Sequence, residues 1–137
     1  MIRGFAAAAT LLTLAWAAAP ACAQTKNDLE GHWANPKHTT VVNVSTCGDS
    51  NYCAVVLKAS AKAQANARKG GTTHFIGTEI LRVRPAADGS FKGTAFDPES
   101  NLHVSATVRV LGPGQMEIRG CALLGLVCQS QRWSKVS

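Results

Sequence analysis

The stretch LHVSATVRVLGPGQMEIRGC, residues 102–121, decides the fold class. Leu102, Val104, Ala106, Val108 and Val110 alternate with His103, Ser105, Thr107 and Arg109. A period of two puts the first set on one face and the second on the other, as in a half-buried antiparallel strand. Gly112-Pro113-Gly114 interrupts the run. Alternation then resumes, with Met116 and Ile118 on one side and Gln115, Glu117 and Arg119 on the other. Two strands around a Gly-Pro-Gly break read as a hairpin.

Outward from this hairpin the same pattern recurs less cleanly. Residues 39–46, 52–58, 75–84, 91–96 and 127–136 read as strands, with a short one around Trp33. Turn chemistry separates them: Gly48-Asp49-Ser50, Asp88-Gly89, and Asp97-Pro98 at the start of DPESN. That makes about eight strands. Residues 58–69, KASAKAQANARK, depart from the pattern. They are alanine-rich, lack β-branched side chains and run into Gly70-Gly71, which predicts one short helix with its C-terminal cap. Leu57, Ala61 and Ala65 would form its shallow apolar face.

The start of the chain reads as a secretory leader. Arg3 precedes an apolar run, FAAAATLLTLAW, and Ala21-Cys22-Ala23 fits a small-x-small cleavage site. The run is short for a membrane span of about 20 residues. Cleavage before Cys22, with lipidation of that cysteine, is the alternative, but alanine stands where a lipobox usually has leucine. Removing residues 1–23 leaves 137 − 23 = 114 residues, a single β-rich domain over 24–137. Nothing in it is apolar enough for a further transmembrane segment. Without Arg3 the domain has 13 basic and 8 acidic residues. These are scattered, with no dense basic run and no interleaved aromatics, so no nucleic-acid partner is expected.

Four cysteines remain: Cys47, Cys53, Cys121 and Cys128. An even count in an exported chain points to disulfides, and the spacing suggests Cys47–Cys53 and Cys121–Cys128. Structural zinc sites favour cysteines two to four residues apart, and these are further apart. His32, His38, His74 and His103 are scattered, with no pair at helical metal-ligand spacing. Asp97 and Glu99 read better as turn residues than as an acid–base pair. No Gly-x-Ser-x-Gly elbow or phosphate loop is present. No enzyme, metal or cofactor is expected.

Six stretches in one order resemble the bacterial exported-protein family called domain of unknown function 2147. They are GHWANP (31–36), STCGDSNYC (45–53), ARKGGTTHFIGTEIL (67–81), FKGTAFDPESN (91–101), RGCALLGLVC (119–128) and QRWSKV (131–136). The resemblance implies one exported domain of mostly antiparallel strands and no established activity. The chain departs from it where leucine-cysteine-glycine is common. Tyr52-Cys53-Ala54 stands there, without the glycine that a tight approach would use.

Gly31-His32-Trp33 also resembles the opening of lipocalin-type barrels, in which the tryptophan plugs the closed end and an arginine from the last strand lies across it. Arg132 would fill that role here. The expected fold is therefore a small antiparallel, lipocalin-like β-barrel, closed by pairing of the first and last strands. The expected function is binding of a small apolar ligand or lipid in the periplasm or outside the cell. The alternative is a structural or protein-interaction module of the cell envelope. Interior volume discriminates the two, since narrow barrels are often filled by side chains and 114 residues leave little room.

Overall fold

The computed structural model of the protein describes residues 28–137. The leader read at residues 1–23, including Cys22, lies outside the described residues. In chain order the elements are β1 (Gly31–Ala34), β2 (Thr40–Thr46), β3 (Tyr52–Ala59), α1 (Ala61–Lys69), β4 (Glu79–Pro85), β5 (Phe91–Asp97), β6 (Leu102–Gly112), β7 (Gln115–Ala122) and β8 (Val127–Lys135). Each strand pairs antiparallel with the next, and β1 pairs with β8, so the sheet is a closed eight-stranded barrel. The closing seam is short: β1 reaches only Ser134 and Lys135 of β8, and residues 127–133 of that strand pair with β7 alone.

Alternation along β6 and β7 plays out as read. Ala106, Val108, Val110 and Met116 are buried, while Arg109 lies outside, opposite Glu117. Because the strands alternate in direction, the β1–β2, β5–β6 and β7–β8 loops and the β3–β4 segment that holds α1 share one end of the barrel. Large side chains fill the other end. Trp33, Tyr52, Phe91, Val110 and Met116 are all buried there, with Tyr52 and Phe91 edge to face at 5.6 Å. Edge-to-face rings are a favoured aromatic geometry, and this pair helps make the closed end a packed plug.

Two boundaries differ from the sequence reading. The helix begins at Ala61, not at residue 58, because β3 continues through Val41↔Lys58 and Thr40↔Ala59. Ser60 caps it, its hydroxyl accepting from the Ala63 N–H. Its inner face is Ala63 and Ala67, four residues apart, with Ala67 fully buried. Leu57 lies on β3, 41% exposed, and Ala61 is exposed. The second difference is β4, which starts at Glu79 because residues 75–78 form a turn. The Thr78 N–H donates to the Phe75 carbonyl at 3.0 Å, and Phe75 tucks into the core.

The C-terminus of α1 is seated on the β5–β6 turn. Thr72 Oγ1 donates to the Pro98 carbonyl at 3.2 Å. A Cβ at Gly70 would meet the Glu99 carbonyl oxygen at 2.2 Å, so only glycine permits this approach. The contact holds the helix beside the barrel mouth.

Tyr52 is the chain's single tyrosine, and so reports the closed end by itself. Burial, and secondarily the nearby Glu30 carboxylate, raise its phenol above the ordinary value of 10.0. The neutral phenol is therefore favoured by the fold. Its contribution is intact below pH 10 and is lost as pH rises through the folded-state value. A tyrosinate absorbance titration should have its midpoint above 10 in the folded protein and near 10 in denaturant. A folded-state midpoint at or below 10 contradicts this packing.

Candidate ligand-binding cavity

The inward positions at the open end of β5, β6 and β7 carry small or medium side chains. Ala95 pairs with Val104, and Ala106 with Gly120, while Ala122 faces Val127 on β8. Directly opposed residues in an antiparallel pair share a face, so these positions line the interior together. Their small volume leaves a cavity of about 720 Å³, within the range of small-molecule sites. Leu81, Ile118 and Trp133 complete its apolar wall. The interior is thus filled at one end only, against the expectation that so short a chain leaves little room.

Polar groups ring the mouth. Asn35, Lys37 and Thr39 come from the β1–β2 loop, Lys62 and Asn66 from α1, and Asp97 and Glu99 from the β5–β6 end. The wall along β8 is polar as well: Gln129 and Gln131 oppose Gly120 and Ile118, and Gln131 Oε1 accepts from the Trp133 indole N–H at 3.2 Å. The β1–β2 loop is braced from within. Asn35 Oδ1 accepts from the N–H groups of Thr39 and Thr40, at 2.8 and 3.0 Å, and its amide donates to Thr39 Oγ1 at 2.8 Å. Asp97 has a structural task, as expected for an Asp-Pro turn: its Oδ1 accepts from the Glu99 N–H at 3.1 Å. The arrangement offers a largely apolar slot with glutamines along one wall and a rim of amides, ammonium groups and two carboxylates. It suits an amphiphile whose tail enters the barrel and whose head stays in water.

The residues singled out for closure lie at the other end. Trp33 is fully buried, and its indole N–H donates to the Leu29 carbonyl at 2.9 Å. The cation over its ring is Lys135, with Nζ 5.6 Å from the ring centroid, and not Arg132. Arg132 is exposed on the outer face, opposite Glu117. Strand parity sets this arrangement. Trp133 points inward, so Arg132 must point outward and Lys135 inward. Lys135 is the direct partner of Trp33, and its stem crosses the ring.

This pairing explains the glycine two positions before the tryptophan. Gly31 has φ +131°, and a Cβ there would meet Lys135 Cε at 2.8 Å and the Ser137 carbonyl oxygen at 2.7 Å. Its bare backbone makes room for the lysine stem and the returning C-terminus. The seam itself is short, with two register pairs extended by His32 N–H to Ser137 and Val136 N–H to His32.

Both disulfides form as the spacing suggests. Cys47–Cys53 ties the β2–β3 hairpin at the closed end, and Cys121–Cys128 joins directly opposed residues of β7 and β8 near the mouth. Cys47, Cys53 and Glu79 gather within 4.8 Å, but both sulfurs are bonded to each other and are poor metal ligands in that state. The histidines stay apart. His32 Nδ1 meets Ser137 Oγ at 2.7 Å, His103 stacks on Phe96 at 4.8 Å, and His38 and His74 are exposed. Among the described residues no helix is long and apolar enough to cross a membrane.

No single stretch of sequence marks the cavity wall. Its sequence signal is the small residues Ala95 on β5 and Gly120 and Ala122 on β7. The sequence pattern of a bacterial family, described as an uncharacterized protein conserved in bacteria (DUF2147), matches residues 31–135. Comparisons with curated proteins and with solved structures find no match.

Proposed function

The chain belongs to the family described as domain of unknown function 2147, and we propose that it is a non-catalytic binding protein, exported to the periplasm or beyond, that holds the apolar part of a small amphiphile or lipid. The observation that carries this reading is the 720 Å³ cavity, with a largely apolar wall and a polar mouth. Export is supported by the two disulfides, which persist in oxidising compartments. The absence of catalysis is supported by the tasks of the mouth's polar groups: Asp97 and Asn35 hold turns together. A purely structural envelope module accounts less well for a barrel left open at one end.

The test is a titration of the exported form with alkyl carboxylates of increasing length, below their micelle concentrations. Trp133 lines the cavity, so its emission is the readout. Each buried methylene contributes about 0.8 kcal/mol, so two more should tighten binding roughly tenfold until the cavity is full. Saturable one-to-one binding with this length dependence is the expected result. Flat emission across the series rejects the proposal.

A further inference from the structure

We infer that the β7–β8 tip docks on an anionic lipid surface, so that the cavity mouth opens against the membrane; this rests on the reading of the cavity as an amphiphile site. Leu123, Leu124 and Leu126 are 70%, 104% and 85% exposed on one four-residue loop. Isolated exposed leucines need no explanation, but three on one turn form a patch.

The backbone adds an independent observation. The turn is closed by the Gly125 N–H donating to the Ala122 carbonyl at 3.2 Å. Its central residues, Leu123 and Leu124, have φ of +53° and +57°. Asn-Gly serves such a turn, whereas a leucine Cβ opposes it. Neither core packing nor turn preference therefore accounts for these leucines. A contact outside the molecule accounts for both costs.

Size and charge select the occupant. A stable protein interface takes about 20–30 residues a side, far more than this loop supplies. A bilayer needs only a few inserted apolar side chains and nearby cations. The loop and its base, residues 120–128, carry no charge. Lys37, Lys62, Arg68 and Lys69 share the open end with Asp97 and Glu99, leaving a positive excess to meet anionic headgroups. The Cys121–Cys128 bond fixes the base of the loop, whose flanking residues Ala122 and Val127 line the cavity. Docking by the tip therefore brings the mouth to the source of an amphiphile.

The experiment is co-sedimentation of the exported form with vesicles of phosphatidylglycerol and phosphatidylethanolamine, beside the variant Leu123→Asn/Leu124→Gly. That variant suits the turn, so its melting temperature should hold or rise. Its vesicle partitioning should fall at least tenfold, while alkyl carboxylate binding in solution stays unchanged. Wild-type protein that ignores the vesicles, or a variant that partitions equally, overturns the inference. So does concentration-dependent dimerisation that the variant abolishes without any vesicle binding, which makes a second copy the occupant. Vesicle binding that persists while alkyl carboxylates fail to bind upholds docking and removes the cavity reading instead.

Discussion

Truncation of Trp33 to alanine is expected to cost about 3–5 kcal/mol of folding stability, the range for a large buried aromatic. The ring is fully buried in the closed half of the barrel. Its loss opens a cavity, removes the indole donor from the Leu29 carbonyl and uncovers the stem of Lys135. The effect is concentrated because β1 is four residues long and meets β8 in only two register pairs. Side-chain packing must therefore hold the seam. Lys135→Ala should cost less, about 0.5–2 kcal/mol from the cation–π contact together with some stem packing. Arg132→Ala should fall within about 0.5 kcal/mol of wild type, as an exposed residue away from the ring. Denaturant unfolding of Trp33→Ala, Lys135→Ala and the double variant should show coupling, since residues in contact are non-additive. Strict additivity, or an Arg132 effect equal to that of Lys135, contradicts the described closure.

The second large effect concerns binding. Val104→Asp puts a carboxylate on the cavity wall, directly opposite Ala95. In the empty protein that group faces a water-accessible space, so folding should change modestly. With an alkyl chain bound, it must give up water beside methylenes, at a cost of several kcal/mol for an unpaired ion. Even about 2.8 kcal/mol of that penalty weakens binding about 100-fold. Val104→Thr, similar in volume and uncharged, should lose far less. An affinity for alkyl carboxylates that changes less than about threefold in Val104→Asp would place the chain elsewhere than this wall.

The strand meander was legible in the sequence because local signals agreed with the global fold. Residues 102–121 carried the period of two, turn residues punctuated the rest, and Gly31-His32-Trp33 pointed to closure. The helix boundary was less legible. Lys58 favours a helix by propensity, but the β3 ladder holds it against Val41. Tertiary pairing overrides a propensity of a few tenths of a kcal/mol. Charge and a place in the last strand point to Arg132. Parity with Trp133 would have selected Lys135, because both must face inward. The cavity was hardest to see. It arises from residues that meet only across strands, Ala95 and Val104 on one pair and Ala122 and Val127 on another. No single stretch contains that information.

In the proposed function the open half of the barrel is the binding chamber. Isotope-edited nuclear Overhauser spectroscopy tests it most directly, on the exported form with methyl-labelled isoleucine, leucine and valine and a protonated alkyl carboxylate. Contacts are expected from the alkyl chain to the methyls of Val104, Ile118 and Leu81, which line the cavity. Contacts confined to Leu123, Leu124 and Leu126 on the outer tip, or none at saturating ligand, would contradict it.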